Sequence, residues 1–168
     1  DLAWLGFTFE QPVRRQSGHF ADYRESFARL DNLGVVYRCF CSRGEIGAAV
    51  KRMSAGGITS PLDPDGTPVY PGTCRDGLHG TGAAAWRMRT QHAPPLLHWQ
   101  DRRLGEQTQD LHTQVGDFVL RRADSLFTYQ LAVVVDDAAK GISHVVRGED
   151  LADNTARQRW LQDALGMP

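Results

Sequence analysis

Gly116-Asp117-Phe118-Val119-Leu120-Arg121-Arg122, Tyr129-Gln130-Leu131-Ala132-Val133-Val134-Val135-Asp136-Asp137 and Val145-Val146-Arg147-Gly148-Glu149-Asp150 follow one another as a single apolar supersecondary unit. A phenol, Tyr129, opens the apolar body, a guanidinium, Arg147, closes the unit, and the Asp136-Asp137 carboxylates lie between them. A planar guanidinium pairs bidentately with a carboxylate or phosphate, so this layout points to a pocket for a small anionic molecule. The plainer alternative is that Arg147 caps a strand in a surface ion pair. Residues 129–135 carry Val-rich strand propensity, yet the run continues through Asp136 to Lys140 as a helix end stopped by Gly141. Residues 142–147 read as a strand, and 155–165 as a helix with Trp160, Leu161 and Leu165 on one face. That strand–helix–strand–helix order predicts the second half of a parallel, doubly wound sheet. Ligands of such sheets bind beyond the carboxyl ends of strands, which is where Arg147 falls.

Working back from this unit, residues 17–33 form the clearest helix, with Phe20, Tyr23, Phe27 and Leu30 recurring on one face and Gly34 as the stop. Ser17 and His19 are candidates for its start. Residues 35–39 read as a short strand, and Ser42 followed by Glu45 is a capping box that opens a helix over 43–53 carrying Ile46, Ala49 and Val50. From 55 to 82 Gly, Pro, Asp and Thr crowd the chain, with turn signals at Pro64-Asp65-Gly66 and Tyr70-Pro71-Gly72, so this stretch is an irregular insertion. Strands are expected at 85–89, 96–101 and 118–121, with a turn at Gly105. The opening residues 1–7 read as the tail of a helix running into a loop at Gly6.

The 168 residues suffice for one ordinary domain, and 41% hydrophobic with 23% charged residues describes a globular rather than a disordered chain. No apolar run is long enough to span a bilayer. Nineteen basic against twenty acidic residues give a formal charge of -1, so bulk charge lends no support to nucleic-acid binding.

Cysteine is present three times, at Cys39, Cys41 and Cys74. An odd number with two members one residue apart is a poor disulfide framework and fits reduced thiols in the cytosol. In an extended chain Cys39 and Cys41 face the same way, so both sulfurs can reach one tetrahedral ion, with Cys74 as a third thiolate across the insertion. Tyr70 and His79 are the candidate fourth ligands. On ligand chemistry His79 is preferred, because a phenol must lose a proton of pKa about 10. The alternative is three buried free cysteines acting as small hydrophobes.

The stretch from Val115 to Asp124, the 129–138 run and the 141–155 run resemble the catalytic domain of the glutamyl-tRNA synthetase superfamily, a class I aminoacyl-tRNA synthetase group. Within it the likeness is to the glutamyl-queuosine tRNA(Asp) synthetases, the branch without an anticodon-binding domain. Cys39-Phe40-Cys41-Ser42-Arg43, Tyr70-Pro71-Gly72-Thr73-Cys74-Arg75, 85–89 and 101–105 carry it further along the chain. The fold this implies is α/β, the second half of a class I Rossmann-like catalytic domain with an irregular zinc-binding insertion. Residues 1–34 are then a helical lead into the core, 35–90 the connective and zinc-binding part, and 91–168 the second half of the core. The resemblance implies a cytoplasmic ligase that activates L-glutamate with ATP and Mg2+ and transfers it to queuosine in the tRNA(Asp) anticodon. It implies that Tyr129 and Arg147 contact glutamate, that Cys39, Cys41, Tyr70 and Cys74 bind Zn2+, and that the Tyr129 run is helical. HIGH-like and KMSKS-like motifs are missing from the sequence, so its catalytic residues are not assigned. The expectation is an internal piece of a longer protein, inactive alone. An ordinary glutamyl-tRNA synthetase domain and a non-catalytic zinc-stabilised binding module are the alternatives.

Overall fold

A computed structural model describes residues 2–8, 13–58, 61–62, 68–77 and 80–168. The elements that position the site are α1 (Phe20–Asn32), β1 (Val36–Cys39), α2 (Arg43–Ala55), β2 (Ala85–Met88), β3 (Leu97–Asp101), β4 (Gly105–Gln109), α3 (Leu111–Gln114), β5 (Val119–Arg121), α4 (Tyr129–Lys140) and α5 (Thr155–Leu165). One sheet has the order β1-β2-β5, and β3 and β4 form a separate hairpin. Every strand pairing among the described residues is antiparallel.

The expected parallel sheet is therefore not what this chain builds. Residues 142–147 are irregular rather than a strand, and among the described residues no strand lies beside them. A strand exists only by virtue of its hydrogen-bonded neighbour, and Val145 and Val146 stand exposed instead. Conversely, Gly105–Gln109 is a strand with no apolar alternation to announce it. Its register with β3, Leu97 opposite Gln109 through Asp101 opposite Gly105, decides it. The Asp110 side chain accepts from the His112 and Thr113 N–H groups and opens α3.

Helix α4 settles the ambiguity in the Val-rich run. Leu131, Val134 and Val135 are buried with Ala132, a spacing of three and four that only a helix brings to one side. Gly141, left-handed at φ 65°, closes it. Packing against α1 and α5 overrides the β preference of the valines. The predicted capping box at Ser42 and Glu45 is formed in full and starts α2.

Alternation along β1 sends its side chains to two clusters. On one face Val36 joins Tyr23, Phe27 and Leu30 of α1, Met88, Leu120, Leu131 and Leu161 in the main core. The Phe27 ring meets Trp86 edge-on at 5.3 Å. Fully buried Leu30, Leu120, Leu131 and Leu161 each contribute roughly 1.5–3 kcal/mol by leaving water. The other face carries Tyr37 and Cys39, packed with Tyr70 and Cys74 of the insertion. Asp136 is a structural carboxylate in this fold: Tyr23 donates to it at 2.9 Å and Arg14 Nε at 2.6 Å, tying α4 to α1. Burial, with that carboxylate beside it, pushes the Tyr23 phenol up to about 12.

Asp117 lies two residues before β5 and meets Tyr37, Arg75 and Thr90. Its side chain is fully buried. Tyr37 Oη donates at 2.6 Å and Arg75 Nε at 2.7 Å to one carboxylate oxygen. The Thr90 N–H and hydroxyl both donate at 2.9 Å to the other. Burial alone would raise its pKa, but these donors, led by Tyr37, outweigh it and hold the carboxyl below the ordinary aspartate value. Folding thus lowers the pKa, so the unfolded chain takes up this proton first as the pH falls. The stabilisation is complete above pH ~4 and disappears as the pH drops through the lower folded value. Asp117→Asn should cost about 3 kcal/mol in urea unfolding at neutral pH, as expected for a broken buried charge pair. The wild-type advantage should shrink below pH ~4, and a difference that stays constant down to that range would refute the assignment.

Candidate functional site

The thiol corner lies where β1 ends. Cys39 and Cys74 are buried and Cys41 is half-buried. The three sulfurs all lie within 4.8 Å of one another, and they form the one group of metal-ligating side chains of this kind among the described residues. Cys41 Sγ is 3.5 Å from Cys74 Sγ. The Tyr70 hydroxyl is 3.3 Å from Cys39 Sγ and 3.8 Å from Cys41 Sγ, and it accepts from the Cys74 N–H at 3.0 Å. A tetrahedral ion with sulfur bonds of about 2.3 Å needs ligand–ligand edges of about 3.8 Å, so the spacing of these four side chains suits a small cation. His79, the other candidate fourth ligand, lies outside the described residues.

The electrostatics of the corner are divided. Burial pushes the Cys41 thiol up to about 11, reinforced by its contact with Cys74. Burial also opposes ionisation of Cys74, but the Phe40 N–H and the neighbouring Cys41 and Tyr70 groups outweigh it and lower that thiol. Burial, with the Cys39 thiol against it, raises the Tyr70 phenol. Arg87 lies over the Tyr70 ring, 3.9 Å from its centre, and donates to the Asp117 carbonyl at 2.7 Å. Gly116, at φ 70°, comes so close to the insertion that a Cβ there would stand 2.4 Å from Val69. The irregular insertion is thus held by its closing residues against β1 and β5.

The second group of expected site residues lies at the start of α5. Tyr129 is the first residue of α4 and its side chain is half exposed. Its neighbour Gln130 donates through Nε2 to Asn154, immediately before α5. Arg147 donates at 2.7 Å to Gln158 Oε1 and also to the Thr155 hydroxyl. Residues 129–130 and Arg147 are therefore both fastened to the amino end of α5, though no hydrogen bond links Tyr129 to Arg147 themselves.

Among the described residues no carboxylate lies within ion-pair distance of Arg147. The surface ion pair considered as its plainer role is not formed. Its guanidinium rests on two neutral acceptors. Asp137 stands at longer range: burial and then Asp136 raise its pKa, while Arg147 works against them. Gln158 Nε2 and Gln130 Oε1 are buried with no hydrogen-bond partner. Asp101 also feels the Arg147 charge, so two carboxylates share its field, while an unmet buried donor, Gln158 Nε2, stands beside it.

Sequence reading did not find Asp117, Arg75, Thr155 or Gln158 as individual determinants. A lone carboxylate within the apolar run 115–120 was the one signal for Asp117. Nothing local announces Thr155 or Gln158, because their role exists only after residue 147 folds back onto α5.

With this geometry in place, the chain belongs to the family described as tRNA synthetases class I (E and Q), catalytic domain, which it matches over residues 1–168. Solved glutamate-tRNA synthetases share the fold. The enzyme from Elizabethkingia meningosepticum, in complex with its amino acid, superposes with a TM-score of 0.75 at 21% identity, covering 99% of this chain and 36% of its own. That from Elizabethkingia anophelis gives 0.70 at 21% identity, covering 92% and 32%. The sequence is more similar to proteins named glutamyl-Q tRNA(Asp) synthetase. It is 48% identical to that of Albidiferax ferrireducens and 49% to that of Leptothrix cholodnii, in each case over 99% of this chain. It covers 59% and 56% of those two proteins, so the chain spans little more than half the length of such relatives.

Proposed function

We propose that the protein containing this chain is a glutamyl-queuosine tRNA(Asp) synthetase. It would join the carboxylate of L-glutamate to the α-phosphate of ATP with release of pyrophosphate, then transfer the glutamyl group to queuosine in the tRNA(Asp) anticodon. The observation that carries this reading is the 48% identity, over 99% of the chain, to a protein of that name. The chain contributes the glutamate wall, and ATP, with Mg2+, is the co-substrate of the activation step. The label from radioactive glutamate should appear only on tRNA carrying queuosine and should survive removal of the terminal adenosine. Label lost with that adenosine would assign the protein to the ordinary glutamyl-tRNA synthetases.

Arg147 is the anchor for a glutamate carboxylate, with Tyr129 as a second contact. Its support is a guanidinium outside any ion pair among the described residues, held by Thr155 and Gln158, with an unmet amide N–H beside it. Loss of one partner of a desolvated charge pair costs about 2–5 kcal/mol. In the full-length protein Arg147→Ala should therefore raise the glutamate KM about 100-fold or more while the ATP KM stays within about twofold. Parallel losses for both substrates would make Arg147 a structural residue.

Cys39, Cys41, Tyr70 and Cys74 are the ligands of a structural Zn2+. The ion would clip the insertion to the end of β1 and neutralise charge on the thiolates and phenolate, with no part in the reaction itself. The support is the gathering of three sulfurs within 4.8 Å of one another, with the Tyr70 hydroxyl 3.3 Å and 3.8 Å from two of them. Purified protein should contain about one equivalent of zinc. Cys74→Ser should lose it, with amide exchange rising first in residues 68–82. A metal content under a tenth of an equivalent would reject the site.

A further inference from the structure

We infer that the cleft between β1 and the 74–77 turn binds a phosphodiester of an RNA strand, with Arg38 and Arg89 as its contacts. The inference rests on the tRNA-glutamylating activity proposed above. The cleft has a volume of about 380 Å³, and three guanidiniums, Arg38, Arg75 and Arg89, line it with Tyr37 and Asp76. They serve different ends. Arg75 is committed to the buried Asp117 at 2.7 Å and fixes the wall. Arg38 and Arg89 have no carboxylate within ion-pair distance among the described residues.

Instead, each lies over an aromatic ring. Arg89 lies 4.7 Å from the centre of the Tyr37 ring and Arg38 4.9 Å from that of Phe40. Arg38 makes one long bond to the Gly82 carbonyl, at 3.3 Å. A guanidinium stacked on a ring is oriented without losing charge, and its free N–H fork matches two phosphate oxygens. Three guanidiniums set against the Asp76 and Asp117 carboxylates leave one formal positive charge, the complement of one phosphodiester. The chain as a whole carries a formal charge of -1, so an RNA partner gains attraction only where the charge is concentrated in this way. β1 is an edge of its sheet, pairing only with β2 among the described residues, and Arg38 on it is exposed.

The test uses the full-length protein and fluorescently labelled tRNA(Asp) anticodon stem-loops, one with queuosine and one without, titrated between about 50 and 200 mM salt. Each lost phosphate contact should lower the log–log salt slope by about 0.7–0.9. The pair Arg38→Gln with Arg89→Gln should lose between one and two units of slope and about tenfold or more in affinity, equally for both RNAs. Equal loss is expected because a phosphate contact carries no base information. Arg89→Lys should keep the slope, since it keeps the charge. Glutamate activation should be unchanged in all variants. Should the pair fail to fold, Arg38→Gln alone, at an exposed position, carries the test with a loss of about one unit.

An unchanged slope would overturn the cleft, and so would an effect confined to the queuosine RNA. So would tight binding of inorganic phosphate that the variants lose while their RNA slope stays constant, because that marks a site for a free anion. The expected slope losses in a protein that never labels queuosine would keep the cleft and discard the proposed function.

Discussion

The buried carboxylate of Asp117 is the constraint on which the rest of the molecule depends. Removing an aspartate from water is costly unless each oxygen is paired. Here each oxygen takes two donors, and the donors come from β1, from the insertion and from Thr90 shortly after β2. Satisfying one group thus fixes the relative placement of three stretches that are far apart in the sequence. The arrangement also explains Arg87, whose guanidinium reaches the Asp117 carbonyl while lying across Tyr70. Charge pairing on one side of the sheet and the thiol corner on the same side are parts of one network.

That network divides the labour of a small sheet. The face toward α1, α4 and α5 is apolar and supplies cohesion. The opposite face is built of tyrosines, arginines and thiols, groups that persist in a half-buried setting because they pair with one another. Period-two alternation in β1 is enough to make the separation, since Val36 goes one way and Tyr37 and Cys39 the other. The Arg147 region at the amino end of α5 belongs to neither face. It is formed by the return of the chain after α4, where Arg147 meets Thr155 and Gln158, the latter with part of its hydrogen-bonding capacity unmet.

Much of this was legible in the residues. The three- and four-residue spacing of Tyr23, Phe27 and Leu30 marked α1, and Ser42 with Glu45 marked the start of α2. Cys39, Cys41 and Cys74 could be grouped because C-x-C is local and the third thiol stands across a Gly- and Pro-rich tract. The errors have a common cause. Residues 142–147 have the composition of a strand, and 105–109 do not, yet pairing is decided by what lies alongside and not by composition. The partners of Arg147 and the donors to Asp117 were hidden for the same reason, since they are set by contacts across long stretches of sequence. An arginine at the end of an apolar run could be noticed; what it leans on could not.

Helix α2 has no buried residue, and only Ile46 touches the thiol cluster. The segment that contains it begins next to Cys41 and ends next to Tyr70, both pinned at the same corner. With its ends already brought together, doubling the length of such a loop adds only about 0.6 kcal/mol of closure entropy. Natural selection is therefore free to lengthen or trim this stretch, or to graft a new module onto it, at little entropic cost and away from the amino end of α5.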